Sequence, residues 1–156
     1  MPESLSVLER LEIERACELL VYAYSRALDL GDLSGAADFF AEHGSMSRPM
    51  TPNQVIEGRE QIRASLATRP KTLLTRHLAT NVMIEADSLN AAHGISYLTM
   101  IAVTAQAEDR PPFSSPGPIY FGEFKDRFVR ERGVWKFLER RGSIQIKFAG
   151  SAAPGA

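Results

Sequence analysis

The order of two amphipathic patterns constrains the fold of this chain more than any other feature of its sequence. Apolar residues recur at helical spacing in the first half, whereas the second half contains long β-branched and apolar runs separated by turn residues. Helices followed by long antiparallel strands are typical of an α+β domain. We therefore expect helices packed on one face of a strongly curved sheet, an arrangement that leaves a concave pocket.

Local signals predict three helices. The first has a capping-box pattern at Ser6 and covers residues 6–30. The second covers residues 33–42, and His43 is expected to cap its end, because a protonated imidazole suits the negative end of the helix dipole. The third begins near Gly58 and ends before Pro70.

Five strands are predicted, at residues 45–50, 72–85, 91–104, 120–130 and 134–146. Pro49 and Pro52 predict an irregular crossing after the first strand. Residues 106–118 contain four prolines and are expected to form a mobile loop or a flap over the pocket. One domain is expected over residues 1–149, followed by a flexible tail of small residues at 150–156.

Composition excludes several classes of function. With 156 residues, 44% of them hydrophobic, the chain can bury a continuous core without disulfides. The net charge of -1 argues against nucleic-acid and membrane-surface partners. The single cysteine, Cys17, falls on an apolar helical stripe, so no disulfide framework is expected. The N-terminus lacks a basic segment followed by an apolar run, and we expect a cytoplasmic protein.

Asp29 is notable because the helix signals place its carboxylate at the negative end of the helix dipole. Gly31 is expected to end the first helix and Asp32 to cap the second, which leaves Asp29 in the last turn. A carboxylate there costs about 0.3–1 kcal/mol unless a cation or donor meets it. The position predicts such a partner, although the helical wheel also allows a solvated Asp29 on the polar edge.

His77 is the best-placed candidate base. Strand alternation puts Thr75, His77 and Asn81 on one face of a predicted strand, which either lines the pocket or meets solvent. Metal binding is poorly supported, because no two histidines have ligand spacing and no acid cluster accompanies His77. An acid at a helix end and a histidine on a strand can instead form a His-Asp dyad, in which the carboxylate fixes the imidazole tautomer.

Four short motifs occur in a fixed order along the chain. They are Tyr24-x4-Asp29-x-Gly31-Asp32, Ile56-Glu57-Gly58-Arg59-Glu60-x-Ile62, Thr75-Arg76-His77-x3-Asn81 and Gly133-Val134-Trp135-Lys136-Phe137. In this order they resemble the SnoaL-like branch of the nuclear-transport-factor-2-like superfamily over residues 11–146. The resemblance implies an α+β fold, a cone-shaped barrel in which three helices close a strongly curved, mainly antiparallel sheet around a deep apolar pocket.

Within that branch the chain is similar to scytalone dehydratase, bile-acid dehydratase and hexachlorocyclohexane dehydrochlorinase. The family's aspartate and histidine fall on Asp29 and His77, and a tyrosine of some members falls on Tyr24. The resemblance implies that these three residues are catalytic. Tyr24 also lies on the apolar stripe of the first helix, so a core aromatic is an equally good interpretation.

The chain departs from the scytalone dehydratase pattern elsewhere in the pocket. A second pocket histidine of that enzyme falls near Ser96, and its serine and asparagine fall near Gly122 and Phe124. These departures imply a different substrate. We expect Asn81, Ser96 and Phe124 to contact it.

The dyad and the resemblance together predict a cofactor-free lyase, of dehydratase or dehydrohalogenase type, or an isomerase acting on an apolar cyclic small molecule. His77 would remove a proton, Asp29 would orient the imidazole and Tyr24 would bind the oxyanion. Neither a metal nor a cofactor is expected. The alternative is a non-catalytic small-molecule binder or an assembly subunit with the same pocket. An isomerase of the ketosteroid type would need a second buried acid, for which the sequence offers no candidate.

The outer face of the predicted sheet also carries information. Residues 120–127 alternate so that one set must face away from the pocket, and this outer set is partly apolar. Because large exposed apolar patches mark interaction surfaces, a homodimer or a homotrimer is expected.

Overall fold

The computed structural model describes residues 5–149, which form three helices and six strands. The helices are α1 (Val7–Leu30), α2 (Leu33–Asp38) and α3 (Arg59–Ala67). The strands are β1 (Phe40–Arg48), β2 (Thr51–Glu57), β3 (Leu73–Ser88), β4 (Ala91–Thr104), β5 (Ile119–Glu131) and β6 (Val134–Phe148). The predicted flexible tail at residues 150–156 lies outside the described residues.

Both ends of α1 form as the sequence predicts. The Ser6 hydroxyl accepts a hydrogen bond from the Glu9 backbone, and the Glu9 carboxylate accepts one from the Ser6 backbone at 2.8 Å. Gly31 ends the helix in the left-handed region at φ 75°, and Asp32 caps α2 by accepting from the backbone N–H of Gly35. These caps place Asp29 in the last turn of α1.

The prediction for the region after α2 is wrong. The helix ends at Asp38, and both His43 and Gly44 lie within β1, so His43 caps no helix. The cause is a tertiary contact, because the Phe39 carbonyl accepts a hydrogen bond from the backbone N–H of Phe137 at 2.9 Å. Pairing with β6 therefore draws this apolar segment into the sheet.

The irregular crossing predicted at Pro49 and Pro52 is limited to a turn at Pro49 and Met50, because Pro52 lies in a strand. Residues 51–57 form β2, which pairs with β1 alone and lies at one edge of the sheet. An edge strand tolerates proline because half of its backbone N–H groups face away from the neighbouring strand. Pro52 is compatible with the strand for that reason.

The six strands form one curved sheet in the order β2-β1-β6-β5-β4-β3. Only β1 and β6 are parallel, so the prediction of a mainly antiparallel α+β fold is confirmed. Irregular register steps in four of the five strand pairings bend the sheet. The strands do not close a hydrogen-bonded barrel, because β2 and β3 remain edges; the helices complete the cone.

The helices pack on the concave face of the sheet around a single apolar cluster. Cys17 and Val21 of α1 and the phenyl rings of Phe40, Phe128 and Phe137 are fully buried there. Burial, with a smaller contribution from the charge of Asp126, raises the pKa of the Cys17 thiol to about 12. Cys17 is therefore an inert core residue. Within residues 5–149, no helix has the length and hydropathy needed to cross a membrane.

Candidate active site

The Asp29 carboxylate meets the free edge of β3. Its Oδ2 atom accepts the backbone N–H of His77 at 2.9 Å, and its Oδ1 atom accepts the Thr75 hydroxyl at 2.9 Å. The same Oδ1 atom lies 2.6 Å from the His77 Nδ1 atom. The side chain of Asp29 is only 14% exposed, so the solvated alternative does not describe it.

Arg69 supplies the cation that the end of α1 requires. Its guanidinium donates to the Leu28 carbonyl at 3.1 Å and to the Thr75 hydroxyl at 2.6 Å. Burial on its own would raise the pKa of Asp29, but the hydrogen bonds and charge of His77 and the Thr75 hydroxyl lower it below the ordinary value. Asp29 is consequently an anion held at the negative end of a helix dipole.

An ionised Asp29 fixes the tautomer of His77. A carboxylate is an acceptor only, so the neutral imidazole must carry its proton on Nδ1 and donate it to Asp29. This leaves a lone pair on Nε2, which makes no hydrogen bond within residues 5–149. The His77 side chain is 11% exposed and thus largely shielded from water. The pair has the geometry of a positioned general base.

The imidazole lies between two spaces. On the concave side is an apolar cavity of about 470 Å³, which we call the cone cavity. Its lining includes Leu28, Met46, Ile56, Leu66, Leu98, Met100 and Phe124, together with His77 and Tyr24. On the other side, Asp29, Arg26 and Arg76 line an outer groove of about 510 Å³ that His77 also contacts. His77 therefore contributes to the lining of both spaces.

The position of Tyr24 is compatible with both a core role and a role in the site. It is buried and packs edge-on against Phe40 and Phe137, with ring centroids 5.7 Å apart in each case. It also lines the cone cavity. Burial raises the pKa of the Tyr24 phenol, so the hydroxyl stays protonated and is a hydrogen-bond donor at neutral pH.

The three predicted substrate contacts occupy different places. Phe124 lines the cone cavity. Ser96 is buried opposite Phe124 on the neighbouring strand, but it is not part of the cavity lining, and its hydroxyl has no hydrogen-bond partner within residues 5–149. The prediction that Ser96 contacts substrate is not supported by this position.

Asn81 does not reach the cavity either, and the prediction that it shares a face with His77 is wrong. The residue is exposed and adopts a φ of 50°, where the register of β3 shifts. This bulge inserts a residue, so that Ala79 and Val82, rather than Ala79 and Asn81, face the core.

Sequence reasoning missed a second buried acid. Asp126 forms an ion pair with Arg140 at 2.7 Å, and both side chains are 1% exposed. Burial raises the pKa of Asp126 to about 6, although the charge of Arg140 opposes this shift. The Arg140 guanidinium also lies 3.8 Å from the ring centroid of Phe124. Strand alternation is the signal that could have identified this acid, because Asp126 lies two residues beyond Phe124 and therefore on the same face of the strand.

Residues 106–118 form a loop, but none of them lines the cone cavity, so the structure offers no support for a flap. Over residues 5–149, no group of three or more histidine, cysteine, aspartate or glutamate side chains is arranged to hold a metal ion.

Comparisons with known proteins agree with this architecture. A protein from Novosphingobium aromaticivorans, provisionally described as a scytalone dehydratase, is 25% identical, with a TM-score of 0.73 over 94% of this chain and 96% of that one. A variant of Rv3472 from Mycobacterium tuberculosis, of unknown function, is 26% identical, with a TM-score of 0.69 over 86% of this chain and 77% of that one.

A hexachlorocyclohexane dehydrochlorinase of type 2 shares the fold at 19% identity, with a TM-score of 0.73 over 97% of this chain and 100% of that one. A search of curated proteins finds no match. The sequence model of the SnoaL-like domain matches residues 9–141. Since this match covers most of the sequence, the chain belongs to the SnoaL-like domain family.

Proposed function

We propose that this protein is a cofactor-free lyase or isomerase that removes a proton from an apolar cyclic small molecule. The observation that carries the proposal is the 2.6 Å contact between Asp29 Oδ1 and His77 Nδ1, which leaves Nε2 without a partner within residues 5–149 on a residue that lines an apolar cavity. A base in such a site acts on an acidic C–H bond next to a carbonyl or a comparable activating group.

Each residue of the site has a separate role in this reaction. His77 Nε2 accepts the substrate proton, and the Asp29 carboxylate stabilises the imidazolium that forms. The Tyr24 hydroxyl donates to the oxyanion that develops on the activating group. Loss of a hydroxide or halide from the neighbouring carbon gives a lyase, whereas return of the proton to another carbon gives an isomerase.

The comparisons support the lyase class without specifying the reaction. The protein that is 25% identical is provisionally described as a scytalone dehydratase. The fold is shared with a dehydrochlorinase at lower identity. Family membership is equally compatible with a binder that performs no chemistry, and only turnover distinguishes these two possibilities.

The test is a turnover screen of the purified protein against enolisable cyclic ketones and their β-hydroxy and β-halo derivatives, followed by product analysis. The wild type is expected to convert at least one class, and His77→Ala is expected to lose about 10²–10⁴ in turnover. His93→Ala is the matched control, because His93 contacts Asp87 at 2.9 Å on an exposed hairpin outside the cavity.

Saturable binding without turnover by the wild type would favour the non-catalytic alternative. Equal activity of the His77→Ala and His93→Ala variants would show that His77 is not the base.

A further inference from the structure

Two arginines line the cone cavity that is otherwise mostly apolar. Arg48 extends from the end of β1, and Arg69 lies in the loop between α3 and β3. Both are partly buried, and the cavity lining contains no aspartate or glutamate. Neither guanidinium forms a salt bridge within residues 5–149, and Arg69 reaches the Asp29 carboxylate only through the Thr75 hydroxyl. Partly buried cations without a directly bonded anion are unfavourable, so this pair requires an explanation.

Helix capping accounts for part of this arrangement. Arg48 donates through Nη2 to the carbonyl and hydroxyl of Ser65 in the last turn of α3, and Arg69 donates to Leu28 in the last turn of α1. Cations at helix C-termini are stabilising. A single bond to each carbonyl would satisfy this role, however, and a guanidinium carries five N–H donors.

Several of these donors remain available. Both bonds of Arg48 use Nη2, which leaves its Nε and Nη1 groups without a partner within residues 5–149. Arg69 uses Nη1 for Leu28 and Nη2 for Leu73 and Thr75, which leaves its Nε group without a partner in the same part of the chain. The available donors belong to two side chains of one cavity.

The charges of the two side chains also interact. Burial lowers the pKa of Arg69, the nearby charge of Asp29 raises it, and the charge of Arg48 lowers it. The two guanidinium groups, which line the same cavity, therefore repel each other. An anion between them would relieve this repulsion and satisfy the free donors.

We propose that the ligand of the cone cavity is an apolar ring compound that bears a carboxylate, and that Arg48 and Arg69 bind this carboxylate while the ring lies against the apolar wall. This inference adds a substrate class to the proposed function and rests on the same cavity. A monoanion fits better than a dianion, because the two arginine charges and the Asp29 charge sum to about +1 when His77 is neutral.

The test uses three probes of nearly equal shape: 2-naphthoate, neutral 2-naphthamide and 2-naphthyl phosphate, each titrated by calorimetry at pH 7.5. We expect the wild type to bind the naphthoate at least about tenfold more tightly than the amide, and more tightly than the phosphate. Arg48→Met and Arg69→Met should each reduce the preference for naphthoate over amide toward one while leaving the affinity for the amide similar.

Two further variants complete the design. Arg26→Met is the matched control, since it removes the same charge from the exposed outer groove and should keep the preference. Arg48→Gln retains a donor for Ser65 without the charge, so it should lose the preference even if Arg48→Met proves poorly folded by circular dichroism.

Failure of this inference is distinguishable from failure of the proposed function. His77→Ala should lose about 10²–10⁴ in turnover but keep the preference for naphthoate. A wild type that shows no turnover and still prefers naphthoate refutes only the proposed enzymatic activity. The carboxylate inference is overturned if the wild type binds naphthoate no more tightly than naphthamide. It is also overturned if the preference for naphthoate persists in both Arg48→Met and Arg69→Met, or if the wild type binds the phosphate most tightly of the three probes.

Discussion

At the residue scale, folding replaces the water molecules around the Asp29 carboxylate with three hydrogen-bond donors of β3. These donors are the Thr75 hydroxyl, the His77 backbone and the His77 imidazole. These bonds lower its pKa in the folded protein below the ordinary value of 3.8. A carboxyl whose pKa is lower when folded stabilises the protein above its unfolded pKa, and this contribution disappears as pH falls through the folded pKa.

We therefore expect Asp29→Asn to lose about 1–2 kcal/mol of unfolding free energy at neutral pH, because the amide cannot accept all three bonds. The difference from wild type should shrink as pH falls from about 5 toward 2. Urea denaturation across this range measures it. A difference that is constant with pH would mean that the carboxylate charge is not the stabilising feature.

The buried pair of Asp126 and Arg140 gives a second prediction at this scale. Asp126→Asn leaves the Arg140 charge buried without a counterion and should cost about 3–5 kcal/mol at pH 7.5, where Asp126 is ionised. Replacing both, as Asp126→Leu with Arg140→Met, should recover most of that loss.

Chemical denaturation measures the unfolding free energy of these variants and of a control, Glu139→Gln. The control removes the acid of a partly exposed ion pair with Arg127 on the same two strands. This control should change unfolding free energy by at most about 1 kcal/mol. A loss in Asp126→Asn no larger than in the control would contradict the assignment of an ionised buried pair.

At the scale of elements, the bulge in β3 separates the segment that contains His77 from the hairpin end. Asn81 holds a left-handed conformation that costs a side chain such as valine about 1–2 kcal/mol. Asn81→Val should therefore lose about that much stability, whereas Asn81→Gly should be nearly neutral. Thr80→Val, on the exposed face one residue earlier, is the control for an apolar valine at an exposed position with ordinary strand conformation.

Catalysis provides the second measurement for these variants. Because Asn81 lies outside the cone cavity, turnover and KM of Asn81→Gly should match the wild type. A rise in KM without a change in turnover would instead indicate that Asn81 contacts the substrate, as regular alternation along β3 predicts.

Sequence patterns predict long elements well and short ones poorly in this chain. The capped α1 and the hairpins of β3 with β4 and β5 with β6 follow from local signals. The start of β1 does not, because Phe39 and Phe40 suit a helix or a strand equally and the backbone bond to Phe137 decides between them. The edge position that allows Pro52 in β2 is likewise a property of the assembled sheet.

The same limit applies to the site. Spacing places Asp29 at a helix end and His77 on a strand face, which allows a dyad, and the resemblance to the SnoaL-like branch implies that the two residues pair. The place of Arg69 in the site could not be predicted, since this residue follows α3 in a loop without periodicity. Its contacts with Leu28 and Thr75 depend on the packing of α1 against β3. Strand alternation assigns Asn81 to the wrong face of β3, because no sequence pattern marks the bulge.

At the scale of the whole molecule, the convex face of the sheet is apolar across four strands. Leu78 of β3, Phe121 of β5 and Ile146 of β6 lie in one row with Thr99 of β4, and Tyr97 and Ile95 of β4 extend the patch. The five apolar members are all exposed. We propose that a second copy of the chain covers this face, in a homodimer or a homotrimer.

Sedimentation equilibrium of the wild type at micromolar concentration should give the mass of two or three chains. Phe121→Lys combined with Tyr97→Lys should shift it to one chain, since a buried unpaired charge opposes association. Lys71→Glu reverses an exposed charge in the turn before β3, outside this face, and should not dissociate the assembly. A monomeric wild type would contradict the proposal.

The central claim is that Asp29 and His77 act as one catalytic unit on a ligand in the cone cavity. The most direct measurement is kcat, on a substrate from the turnover screen, for Asp29→Asn, His77→Ala and the double variant. Each single change should reduce kcat by about 10²–10⁴, and the double variant should be little worse than the more damaging single, because residues that act as a unit are not additive. Full activity of Asp29→Asn, or losses that multiply in the double variant, would contradict the claim.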